Sequence, residues 1–175
     1  DARQNIIVCD SVSKRFSMPG ARIGCVASFN KEIMASVLKF AQARLSAGTL
    51  EQLGTVPLLE NSKEYTSKIT KEYNRRRDIV AEGLSKMPTV FKPAMGAFYQ
   101  AVGLPVKDAE DFVRFMISEF RYKNKTVMVT PMEDFYITPG RGKNQIRIAY
   151  VLNTKDLKEA MEVLGMVLWL SRRPG

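Results

Sequence analysis

The stretch CDSVSKRFSMPGARIGCVAS (residues 9–28) places Lys14 directly after Ser13, just beyond the apolar run NIIVCD (residues 5–10). It then turns through Pro19 and Gly20 to Arg22 and a second apolar run, RIGCVASF (residues 22–29). Both runs are rich in β-formers and bounded by polar residues or glycine, so each reads as a short buried strand. A lysine just past a strand lies at a sheet edge, where the backbone turns and where α/β proteins commonly hold ligands. Pro19 and Gly20 favour a turn that returns Arg22 toward Lys14, and Gly24 allows neighbouring backbone to approach closely as the second strand begins.

The chemistry of this loop suits an anion. Two hydroxyls, Ser11 and Ser13, supply neutral donors, and the Arg22 guanidinium grips two oxygens of a phosphate at once. An amine beside a phosphate site suits a ligand that carries both a phosphate and an aldehyde. Pyridoxal 5'-phosphate meets that description, with a lysine ε-amine forming the Schiff base. On residue types alone a solvent-facing serine–lysine stretch accounts for the same letters, and both readings stand at this point.

Composition narrows the alternatives. A chain of 175 residues that is 45% hydrophobic buries a sizeable core, enough for one domain or a domain and a half. Histidine is absent, which removes Ser/His and Cys/His nucleophiles and every histidine metal triad. Cys9 and Cys25 have no CxxC spacing, so neither a disulfide framework nor a metal site is expected, and the compartment reads as reducing. No run of eighteen apolar residues spans a bilayer, and DARQN (residues 1–5) lacks the layout of a secretory signal. The expectation is a cytoplasmic protein with no membrane partner. The net charge of +9 leaves nucleic acid, an anionic small molecule and plain solubility open.

Along the chain, Asn30 is a candidate N-cap for KEIMASVLKFAQARL (residues 31–45), and AGT (residues 47–49) interrupts the helical pattern. A second short helix follows in LEQLGTVPLLEN (residues 50–61), where Gly54 and Pro57 suggest a packing constraint or a break. A long polar helix begins at Ser62, with Tyr65, Ile69, Tyr73, Val80 and Leu84 as its apolar stripe, and Pro88 ends it. Beyond it short strands alternate with helices: TVFK (residues 89–92), AFYQAV (97–102), a helix from Asp108 to about Tyr122, VMVT (127–130), QIRIAYV (145–151) and a last helix from Thr154. This is an α/β layout with its own core, and the apolar side of the last helix is expected to cover a sheet face.

SVSKRFSMPGARIG (residues 11–24) resembles the lysine motif of the fold-type I pyridoxal-phosphate aminotransferases, the aspartate aminotransferase superfamily, in which S-x-S-K-x-F is followed by G-x-R-x-G. GAFY (residues 96–99) resembles the strand that opens the small domain of that family. VMVTPMEDF (residues 127–135) resembles its v-x-v-x-P-g-x-x-F segment, with Met132 where glycine is common. QIRIAYV resembles the strand whose arginine grips the substrate α-carboxylate.

The resemblance implies that residues 1–61 are the C-terminal segment of the large cofactor-binding domain and residues 62–175 the small domain. It implies that Lys14 bonds to the cofactor aldehyde, that Ser11, Ser13 and Arg22 hold its phosphate, and that Arg147 binds the substrate. Many relatives carry threonine, glycine and tryptophan where this chain has Pro19, Gly20 and Ala21, so the loop packs without a bulky aromatic. The activity implied is transfer of an amino group between an amino acid and a 2-oxo acid, in a homodimer, with no histidine required. In the family the groups that tune the cofactor ring precede the lysine, so the chain is expected to be a C-terminal portion, inactive alone.

Two rivals share these residues. The same scaffold supports β-eliminating carbon–sulfur lyases, and a basic binding module would use the charge on nucleic acid through NRRRD (residues 74–78). Three successive arginines on a helix point in different directions, which favours a solvated face and no nucleic-acid partner. TPGRGKN (residues 138–144) lacks phosphate-loop spacing, and the methionines read as core fill. Taken alone, Arg147 reads as a charge on an edge strand; the family pattern gives it the carboxylate role.

Overall fold

A computed structural model describes residues 2–170 of the chain. The chain divides into two compact units, Asp1–Ile69 and Thr70–Gly175. Asp1 and residues 171–175, the outermost ends of the two expected domains, lie outside the described residues. The division falls inside a long helix.

In the first unit, strand β1 (Val8–Ser11) pairs antiparallel with β2 (Gly24–Ala27), Ser11 standing opposite Gly24. The expected first strand starts later than its letters suggest, because Ala2–Asn5 coil into a 3-10 turn. Both strands are also exposed rather than buried, with Val8 52% and Val26 39% accessible. A two-stranded ribbon has no second layer to cover its faces, and in isolation such a ribbon is marginal. Helix α1 (Val12–Arg15) follows β1 directly and buries Val12.

Helix α2 (Lys31–Arg44) starts where Asn30 Oδ1 accepts from the Ile33 amide at 3.1 Å, the cap expected from sequence. Helix α3 (Thr49–Glu60) runs through Pro57 without a break. The proline removes one backbone donor, while beside it the Thr55 hydroxyl donates to the Glu51 carbonyl at 2.7 Å. Helix α4 (Ser62–Ser85) then crosses the unit boundary.

The second unit is built on a three-stranded antiparallel sheet in the order β3-β5-β4, with β3 at Tyr99–Gly103, β4 at Thr130–Pro131 and β5 at Gln145–Ala149. Two expected strands shrink. TVFK contributes only a bridge from Val90 to Gly103, and VMVT is reduced to Thr130 with Pro131. The buried Gln100 side chain takes the place of further ladder: its amide nitrogen donates to the Lys92 carbonyl at 2.9 Å and its oxygen accepts from the Ala94 amide at 3.0 Å.

Alternation decides the two faces of this sheet. Val102, Ile146 and Ile148 point to one side and pack with Val80 and Leu84 of α4, with helix α5 (Ala109–Ser118) and with helix α6 (Thr154–Leu170). The last helix therefore covers a sheet face, as its apolar side implied, and each fully buried aliphatic side chain contributes about 1.5–3 kcal/mol. Helix α5 stops at Ser118, short of Tyr122, because Arg121 folds back over its end. Its guanidinium donates to the carbonyls of Ile117 at 3.0 Å and Phe120 at 2.6 Å, satisfying acceptors that a helix end leaves open. Among the described residues no helix is long and apolar enough to cross a membrane.

Candidate functional site

The Lys14 turn is assembled from its backbone outward. Ser11 ends β1 and caps α1: its extended backbone (φ −151°, ψ 144°) aims the side chain at the turn, and its Oγ accepts from the Ser13 amide at 3.1 Å. The Ser11 and Ser13 hydroxyls lie 2.8 Å apart, and Ser11 Oγ is 3.1 Å from the Ile23 carbonyl. The Val12 amide donates to that same carbonyl at 3.2 Å, which ties the residue after Arg22 to the start of α1.

Packing fixes which way this one-turn helix faces. Val12 and Phe16 are buried, and Tyr65 holds Phe16 by a ring contact at 5.7 Å and a hydroxyl donated to its carbonyl at 3.0 Å. With both of those side chains turned inward, the intervening Lys14 and Arg15 face solvent. Arg15 pairs with Asp10 at 2.6 Å. A Cβ placed on Gly24 would meet the Asp10 carbonyl at 2.9 Å, so the close approach expected of this glycine is present.

Arg22 sits in the left-handed region (φ 53°, ψ 37°), a strained setting for a side chain of its size. Its guanidinium is exposed and donates to the Pro19 carbonyl at 2.9 Å, inside its own loop. The structure thus brings Ser11 and Ser13 into contact and ties Ile23, the residue after Arg22, to Ser11, while the Arg22 guanidinium stays on its own loop. Two hydroxyls in contact, with a guanidinium and a lysine exposed on the same stretch of chain, are the donor types that a ligand bearing a phosphate and an aldehyde would need.

Arg147 belongs to the second unit and stands at the centre of β5. Its direct neighbours across the sheet are Ala101 of β3 and Thr130 of β4, on the face away from the core. Its guanidinium carbon lies 4.3 Å from the Tyr99 ring centroid and 4.7 Å from that of Phe135. Among the described residues no carboxylate forms an ion pair with it. Sequence reasoning passed over both rings. The signal was partly there, since Tyr99 shares a face with Ala101 by the two-residue period and Phe135 closes the segment VMVTPMEDF.

The three arginines of NRRRD are unevenly committed. Arg76 pairs with Glu72 at 2.8 Å and donates to the Val151 carbonyl at 2.7 Å, while Arg77 pairs with Asp78 at 2.7 Å.

A family model described as aminotransferase class I and II matches residues 1–164. An aspartate aminotransferase of Pyrococcus horikoshii is 31% identical over 171 residues, covering 95% of this chain and 42% of that protein. A (5-formylfuran-3-yl)methyl phosphate transaminase of Methanocaldococcus jannaschii is 30% identical over 161 residues, 91% of this chain and 41% of that protein. A crystal structure from Methanococcus jannaschii, described as similar in its active site to kynurenine aminotransferases, matches with a TM-score of 0.80 at 30% identity, over 93% of this chain and 42% of that one. The chain spans about two fifths of the length of these proteins.

Proposed function

Because the chain belongs to the class I and II aminotransferase family, we propose that the protein containing it moves an amino group between an amino acid and a 2-oxo acid, with Lys14 as the anchor of pyridoxal 5'-phosphate. The observation that carries this reading is the turn in which Ser11 caps α1, touches the Ser13 hydroxyl and is tied to the residue after Arg22.

When bound, the cofactor supplies a conjugated ring that accepts the electrons of a broken Cα bond. Ser11 and Ser13 would donate to its phosphate; the Ser11 proton now has two acceptors within reach, Ser13 Oγ and the Ile23 carbonyl. Arg22, which now donates to the Pro19 carbonyl, would supply guanidinium donors to the phosphate. Lys14 would hold the aldehyde through its Nζ, and the same amine would serve as the base for the substrate Cα proton. Arg147 takes the α-carboxylate through paired N–H donors, and holding that group selects Cα–H as the bond to break.

Residues 1–61 and 62–175 then correspond to the end of a large cofactor domain and to a small domain. The exposed apolar side chains Ile6, Phe29, Phe40 and Leu50 of the first unit support a homodimer in which the rest of the protein and a second copy cover them. A cytoplasmic setting is supported by Cys9 and Cys25, both free and exposed. The family membership supports amino-acid and 2-oxo-acid substrates.

The test is reduction with borohydride of the full-length protein mixed with pyridoxal phosphate, followed by peptide mapping. The expected result is one label, at Lys14, lost in Lys14→Ala, together with keto-acid release that requires a 2-oxo acid acceptor. Label spread over several lysines, or full labelling of Lys14→Ala, rejects the proposal.

A further inference from the structure

We infer that Tyr99 and Phe135 are positioning residues for Arg147, forming an aromatic clamp that turns the edge of its guanidinium toward the substrate carboxylate. The inference rests on the reading of Arg147 as the carboxylate-binding residue. It starts from sheet order: β5 lies between β3 and β4, Tyr99 belongs to β3, and Phe135 follows β4. The guanidinium is therefore flanked from both neighbouring strands, with its carbon over the two rings at 4.3 and 4.7 Å.

The small residues directly opposite Arg147, Ala101 and Thr130, leave room for this arrangement, because a larger side chain at either place would compete with the rings. Rings stacked on a guanidinium occupy its faces and leave the N–H groups in its plane for a carboxylate. They also remove water and rotamer freedom from a long side chain that no carboxylate holds among the described residues. Lysine cannot use such a clamp as a bidentate site, having neither plane nor fork.

The experiment uses the full-length protein with two substrates, an amino acid and the amine that differs only by lacking its carboxylate. Tyr99→Leu and Phe135→Leu are each expected to raise KM for the amino acid about fivefold, the order of a half-exposed cation–π contact, with kcat changed less than about twofold. KM for the amine should stay at the wild-type value, and Tyr99→Phe should behave as wild type because the ring is kept. A parallel rise for amino acid and amine means simple structural damage and overturns the inference, as does no rise for either. Arg147→Ala separates the two layers. If it raises KM for the amino acid while the leucine variants do not, the clamp alone fails; if it too leaves that KM unmoved, the carboxylate role fails and the clamp with it.

Discussion

Replacing Gly24 by alanine probes how the Lys14 turn is closed. The added Cβ would lie 2.9 Å from the Asp10 carbonyl oxygen and 3.8 Å from Ser11 Cα. Heavy atoms around a carbon settle at about 3.5 Å or more, and here the obstacle is backbone, so one strand must move. Overpacking of this kind costs about 1–3 kcal/mol. Removing the freedom of a glycine in the unfolded chain returns about 0.5–1 kcal/mol. The net expectation is a loss of about 1 kcal/mol, roughly fivefold in the equilibrium for local opening. The reporter is the Val12 amide, whose bond to the Ile23 carbonyl closes the turn at 3.2 Å. Hydrogen exchange at Val12 should quicken about fivefold, and pyridoxal phosphate should bind the full-length protein more weakly, because Ser11 moves with the strand. Unchanged exchange with unchanged cofactor affinity would refute the reasoning, since the strands would then tolerate a side chain at their closest approach.

Two further expectations concern the second unit. Leu164 of α6 is fully buried, so Leu164→Ala should lower the denaturation free energy by about 2–5 kcal/mol in a urea titration, with the spread set by how far the cavity collapses. Asp108 caps α5 by accepting from the amides of Glu110 at 2.8 Å and Asp111 at 3.3 Å. Its carboxyl is held below the usual aspartate range chiefly by the Asp111 amide, against the cost of burial, with the Glu110 amide and Lys143 adding to the lowering. A carboxylate whose pKa falls on folding stabilises the fold above its unfolded value of about 4 and loses that contribution as pH drops through the folded one. Asp108→Ala should therefore melt lower than wild type at pH 7, and the two melting curves should converge in strong acid.

Much of this architecture was legible because it is written locally. The Asn30 cap, the long helix from Ser62, the start of a helix near Asp108 and the alternation of Ile146, Arg147 and Ile148 are each encoded within a few residues. What misled was decided across the chain. TVFK and VMVT have strand-like composition, yet strand length depends on a partner, and Gln100 takes up the groups that a longer ladder would have used. The end of α5 depends on Arg121 reaching back over its carbonyls, which no helical periodicity reveals. The same holds for the site. Ser11, Ser13 and Lys14 were readable as a compact motif, whereas the rings of Tyr99 and Phe135 approach Arg147 only through pairing of β3 and β4 with β5.

The burial of Val12 and Phe16 has a consequence for how the first unit can change over time. Among its described residues these are the buried apolar side chains, and they bracket Ser13, Lys14 and Arg15 in the chain. Sequence drift elsewhere on its accessible helices, in α2 for instance, would leave the lysine where it stands. A polar substitution at position 12 or 16 would tilt the whole turn, so a scan of every possible substitution should find intolerance concentrated at two greasy positions that never touch a ligand.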